Sequence, residues 1–194
     1  MPMRGKDGRP ILAFATPKAF AAWLKTHHAS SDGVWLKFSK KGSGIPSVTY
    51  AEALDEALCW GWIDSQALSL DEKQYLQRFG PRRSKSIWSK INRGHVARLI
   101  KEKRMRPPGL AEVKRAKSDG RWADAYAGSA LMKPPADFLK ALTKDKNAKA
   151  FYATLTRADT YAISWRILEA KKPETRARRI ARFVNMLSKG EKLH

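Results

Sequence analysis

Thr49-Tyr-Ala-Glu-Ala-Leu-Asp-Glu-Ala-Leu-Cys-Trp-Gly-Trp-Ile-Asp-Ser65 holds a helix, its stop and the start of a strand. Thr49 and Glu52 have the spacing of a capping box, with Val48 and Ala53 placed for a weak hydrophobic staple. Leu54, Ala57 and Leu58 point one side of this helix inward, and Gly61 stops it. Beyond the glycine, Ile63 to Ser69 and Gln74 to Phe79 pair as a hairpin around Leu70-Asp-Glu-Lys73, a turn without glycine. A capped helix leading into a hairpin predicts an α+β fold, with helices around a small antiparallel sheet.

Upstream, Thr16 caps a helix with Pro17 at its first position, and Ala19, Phe20, Trp23, Leu24 and His27 recur at helical spacing. Val34-Trp-Leu-Lys-Phe38 alternates as a strand and ends at Lys40-Lys-Gly-Ser-Gly44. Downstream of the hairpin a helical period starts at Ser86, with Ile87, Ile91, Val96 and Leu99 on one broad side. Pro107-Pro-Gly109 separates it from a short helix carrying Leu110, Val113 and Ala116, closed by Gly120. Trp122 and Tyr126 share one side if that segment is helical.

Gly128 to Pro135 breaks the pattern, and only helices follow. Asp137–Thr143 offers Phe138, Leu139 and Leu142; Asn147–Leu155 offers Phe151 and Leu155; Tyr161–Ala170 offers Tyr161, Trp165 and Leu168; Pro173–Leu187 offers Ile180, Phe183, Val184 and Leu187. The expected organisation is a flexible N-terminus over 1–13, a mixed α/β domain over 14–127 and a linker over 128–136. An all-helical C-terminal module over 137–188 and a tail over 189–194 complete it. Arg176 falls at nearly the angle of Ile180 and Phe183, so an acid must pair with it if it is buried: Glu169, Glu174 or an interdomain carboxylate.

With 194 residues, 43% of them hydrophobic, the chain can bury an ordinary core. Its formal charge is +21, divided as +3 over residues 1–60, +9 over 61–130 and +9 over 131–194. The basicity thus belongs to the body of the chain and favours encounter with anionic partners, whether nucleic acid, anionic lipid or acidic protein. The start lacks the apolar region of an export signal, and no apolar run reaches transmembrane length, so a cytoplasmic protein without an integral membrane segment is expected. Cys59, the single cysteine, reads as a core thiol.

The four histidines form no metal-ligand spacing, and neither a dinucleotide-binding nor a P-loop glycine pattern is present; no metal, cofactor or catalytic residue is assigned. Trp62 and Asp64 admit two readings: a core ring with a capping or paired acid, or an aromatic pocket in which Asp64 orients a ligand. Arg78, Arg82 and Arg83 either clamp a carboxylate or phosphate, or remain solvated and paired with Asp71 or Glu72. Trp88, Ser89 and Asn92 lie near a helix start that can receive an anion; alternatively Ser86 is the cap and Asn92 bonds a loop. Ten of the 25 residues from Arg82 to Arg106 are Arg or Lys, opposed only by Glu102. Within them Lys90, Arg93, Lys101 and Arg104 make a basic stripe suited to partner binding.

Trp35-Leu-Lys-Phe-Ser-Lys-Lys41, Tyr50 to Asp64, Tyr75-Leu-Gln-Arg-Phe-Gly-Pro-Arg-Arg83, Trp88-Ser-Lys-Ile-Asn92, Gly120-Arg-Trp122 and Lys172 to Arg179 together resemble the YdeI or OmpD-associated, bacteriocin-protection family. Trp60 departs from a family position often filled by Phe. The resemblance implies a link to tolerance of antimicrobial peptides or bacteriocins, in some members through an outer-membrane porin; no established enzymatic activity or cofactor comes with it. Three functions are therefore weighed. The leading one is a noncatalytic stress or defence protein docking an acidic partner, and nonspecific nucleic-acid binding is the second. A small-ligand protein or enzyme built on the aromatic and arginine residues is the third.

Overall fold

Several helix starts are built from local chemistry. In the computed structural model, which describes residues 3–128 and 132–193, Thr16 accepts the Ala19 N–H at the start of α1 (Pro17–His27). The capping box at Thr49 and Glu52 is fully formed at α2 (Tyr50–Cys59). The chain divides into two compact units, Met1–Tyr126 and Ala127–His194.

In the first unit, β1 (Ile11–Leu12) pairs parallel with β2 (Val34–Ser39), β2 antiparallel with β4 (Gln74–Pro81), and β4 antiparallel with β3 (Trp62–Ser69). The helix-then-hairpin reading of residues 49–79 therefore describes α2, β3 and β4. The segment expected to be a flexible arm is instead bound into the sheet through β1. The Trp35 indole N–H donates to Asp7 at 2.9 Å, and Arg9 pairs with Asp7 and Asp32.

Phe20, Leu24, Leu36, Phe38, Leu58, Trp62 and Phe79 fill the space between sheet and helices, with Val96, Leu99 and Val113 brought by α3 (Lys90–Lys101) and α4 (Pro107–Ser118). Two expectations fail here. Ile87 and Ile91 are half exposed rather than inward, because Ser89, not Ser86, caps α3 and the residues before it are not helical. Pro107-Pro-Gly109 is the first turn of α4, since prolines there surrender no intrahelical hydrogen bond. The chain at Trp122 and Tyr126 is also not helical: Tyr126 bridges to Ser89, while Trp122 packs on Trp88 at 4.8 Å.

The second unit contains α5 (Ala136–Leu142), α6 (Lys146–Ala153), α7 (Arg157–Glu169) and α8 (Pro173–Ser188) around Phe138, Leu142, Ala148, Ile163, Ile167, Phe183 and Leu187. On α7 the inward side is Ile163, Ser164 and Ile167, whereas Leu168, expected inward, is 42% exposed. Arg176 is paired, but with Asp137 of its own unit: Nε and Nη2 donate to the two carboxylate oxygens at 2.6 and 2.8 Å, joining α5 to α8. Part of the expected linker, residues 129–131, lies outside the described residues. Among the described residues no helix is long and apolar enough to cross a membrane.

Candidate functional site

Gly61, at φ 76°, turns the chain from α2 into β3, a conformation that favours glycine. Its carbonyl then accepts the Arg82 N–H at 3.1 Å, so the loop leaving β4 is anchored at the end of α2. Register brings Asp64 opposite Phe79 and Ile63 opposite Gly80, and an irregularity between Asp64 and Ala67 interrupts the ladder beside Ser65. The loop is further held by Arg83 N–H donating to Ser86 Oγ and by Arg121 donating to the Ser86 carbonyl. Tyr126 is fixed across from it by backbone bonds to Trp88 and Lys90.

These elements enclose a cavity of about 720 Å³. Asp64, Arg78, Arg82, Arg83 and Asn92, all singled out from sequence, line it together with Tyr126. Three other sequence candidates do not. Trp62 is a core ring, packed edge-on to Trp23 at 5.7 Å with its indole N–H donating to the His28 carbonyl. Trp88 lies beneath Arg82, and Ser89 is consumed as the α3 cap. Arg9, Asp32, Ser65 and Ser86 were not legible as cavity residues; Arg9 arrives through the β1 segment, far away in sequence.

Arg82 is the unusual group. Only 6% of it is exposed, its guanidinium lies 3.6 Å from the Trp88 ring centroid, and Nη1 donates to the Ile87 carbonyl at 3.2 Å. Its Nε is buried without a hydrogen-bond partner, and among the described residues it forms no ion pair. Burial lowers its pKa to about 10, which leaves it a cation at neutral pH. A desolvated cation–π contact contributes about 2 kcal/mol and a charged hydrogen bond about 1.5–3 kcal/mol. Removing the guanidinium from water costs several kcal/mol. The two contacts roughly offset that cost and still leave Nε unsatisfied.

The acids nearby are partly committed. Asp64 Oδ2 accepts the Tyr50 hydroxyl at 2.8 Å. Arg78 faces Asp7 at 3.9 Å rather than Asp71 or Glu72. Asp7 itself is pulled from its ordinary 3.8 to about 2, first by the Trp35 indole N–H and then by Arg9. Because the folded value lies below the unfolded one, this acid stabilises the fold above about pH 4, and the contribution vanishes as pH falls through about 2. Replacing Asp7 by asparagine is expected to flatten acid unfolding between those values. Denaturant midpoints measured from pH 5 to pH 2 check this, and an unchanged slope would refute it.

The expected basic stripe is shorter than its sequence pattern. The helix ends at Lys101, and Lys103, at φ 56°, turns the chain so that Arg104 meets Glu56 at 2.7 Å, Glu102 at 3.3 Å and Asp55 at 3.7 Å. Arg104 therefore joins α3 to α2, alongside Arg98, which donates to Asp55 at 2.7 Å. Lys90, Arg93 and Lys101 form no ion pair among the described residues. Arg93 and Lys117 both approach the Trp122 ring, at 5.4 and 5.6 Å, so Lys117 extends the cationic face. Cys59 is buried and its thiol is pushed up to about 12, mainly by burial. Among the described residues no group of three or more His, Cys, Asp and Glu is arranged to hold a metal ion.

A family model described as a domain of unknown function, DUF8412, matches residues 12–112, more than half of the chain. A second, described as "Bacteriocin-protection, YdeI or OmpD-Associated", matches residues 132–190, supporting the resemblance read from the sequence over the helical unit. No curated protein and no solved structure matches the chain.

Proposed function

We propose, for a chain that belongs to the DUF8412 family of unknown function, a noncatalytic stress or defence role in which the cationic face of α3 docks an acidic protein. The observation that carries this reading is the row of Lys90, Arg93 and Lys101, which face no intramolecular acid among the described residues while their neighbours Arg98 and Arg104 are paired. Unpaired cations spaced along one helix steer an acidic surface and set its register. Exposed Ile87, Ile91 and Ile100 on the same segment favour a protein over a nucleic acid, because they offer apolar area that a phosphate backbone does not use.

The second family's name suggests the biological setting, protection against bacteriocins and association with OmpD. A porin with an acidic face is one partner of the right chemistry. Sequestration of cationic peptides is disfavoured, since a chain of charge +21 repels them.

Reversing Lys90, Arg93 and Lys101 to glutamate is expected to weaken partner capture at physiological salt at least tenfold and to remove peptide tolerance. Thermal stability should stay within a few degrees of the parent, because these side chains form no ion pair among the described residues and only Arg93 approaches a ring, that of Trp122. Recovery of bound protein from nuclease-treated native cells, with parent and variant side by side, measures it. Equal recovery and equal tolerance would eliminate this face from the function, and capture that disappears with nuclease would assign it to nucleic acid instead.

A further inference from the structure

We propose that the cavity at the β3–β4 end is a binding site for a small molecule carrying one oxyanion group, a carboxylate or a phosphate, beside a hydrogen-bond donor. The oxyanion sits against Arg82 with Arg78 and Arg83 at the rim, and the donor faces Asp64. Ile87 and Asn92 border both regions, but Lys90, Arg93 and Lys101, the cations of the docking face, do not line the cavity, and the site does not depend on them.

Three observations carry the assignment. First, Arg82 is more than nine-tenths buried and lines the cavity, and its guanidinium donates to a described residue only through Nη1, to the Ile87 carbonyl, leaving Nη2 without a described acceptor. Buried cations in folded proteins are normally paired, and a planar guanidinium presents parallel N–H groups matched to a carboxylate or phosphate. The ring of Trp88 holds that plane from one side, so its orientation is set before any ligand arrives. Second, the cavity has the size of small-molecule sites, which span about 300–1,000 Å³, and Asn92 and Tyr126 add polar groups to its wall. Third, the lining is not uniformly positive. Asp64 commits only Oδ2 to Tyr50, and among the described residues its Oδ1 accepts no hydrogen bond. Asp32 also lines the cavity, although it is paired with Arg9. Two carboxylates in the wall oppose a bare polyanion and favour a ligand whose oxyanion is accompanied by an amine or hydroxyl.

Four probes separate the elements of this proposal: acetate, glycine, inorganic phosphate and phosphoethanolamine, each titrated into the full chain at physiological salt. The readout is the set of arginine side-chain Nε–H resonances, with Arg82 assigned by its disappearance in Arg82→Lys. The expected result is saturable movement of the Arg82 resonance by at least one probe. The amine-bearing member of its pair should bind about tenfold more tightly, a difference of about 1.4 kcal/mol. Movement with phosphates alone, or with carboxylates alone, identifies which oxyanion the site takes. Asp64→Asn should erase the advantage of the amine, and Arg78→Gln with Arg83→Gln should weaken all binding about tenfold. Those rim residues are not in the core, so the test survives if Arg82→Lys fails to fold. Assignment then rests on the Arg82 resonance's coupling to Trp88 protons. Nonsaturable drift shared by all arginines, or rim and Asp64 variants that bind as the parent does, would overturn the site.

Discussion

Gly109→Ala is expected to destabilise the first unit by about 3 kcal/mol, at the upper end of what overpacking costs. A β-carbon at this position would lie 2.3 Å from the Cys59 carbonyl oxygen and 2.7 Å from that of Leu58. Both obstacles are backbone, so no side chain can swing away; α4 would have to lift off the end of α2. The Arg106 N–H donates to the same Cys59 carbonyl at 3.1 Å, and lifting would break that bond as well. Helix propensity predicts the opposite sign, because alanine is favoured over glycine by about 1 kcal/mol inside a helix. Gly94 supplies the control: it lies within α3 and a β-carbon there meets nothing within 4 Å. Gly94→Ala should therefore stabilise by about 0.5–1 kcal/mol. Urea midpoints of the two variants should move in opposite directions, and a Gly109→Ala protein as stable as the parent would disprove the close approach.

Phe138→Ala should be the most damaging single change in the second unit. Phe138 is fully buried and packs edge-on to Tyr152 at 5.5 Å, in the cluster that also contains Ile163, Ile167 and Phe183. Truncating a buried phenylalanine costs about 3–5 kcal/mol, comparable to the whole stability of a small domain at about 5 kcal/mol. Hydrogen exchange is expected to rise across α5 to α8 while β2, β4 and α2 keep their protection. Exchange that rises equally in both units would show that they unfold as one, against the two-unit organisation.

Local chemistry made much of this architecture readable. Thr16, Thr49 and Glu52 act within a single turn, so their caps could be recognised without knowing the rest of the chain. The hairpin was equally legible because its two strands are neighbours in sequence. What escaped depends on distant partners. Ser86 and Ser89 are equally good caps on paper, and the choice between them was made by Tyr126, whose backbone hydrogen-bonds Trp88 and Lys90 on either side of Ser89 and fixes the helix start there. On α7, isoleucines and aromatic residues occur on more than one side, so spacing could not say which side the other helices cover. The basic stripe was over-read at Arg104 because Glu56 and Asp55 lie nearly fifty residues earlier. In the cavity, Asp64, Arg78, Arg82, Arg83 and Asn92 stood out as residue types, whereas the contributions of Arg9 and Tyr126 come only from tertiary packing.

The lone thiol, at the end of α2, has a practical corollary. A thiol that is both enclosed and held near pKa 12 supplies almost no thiolate to an alkylating reagent while the fold is closed. Maleimide uptake at Cys59 consequently reports opening of the first unit, in a chain whose single cysteine leaves no second label to confuse the count.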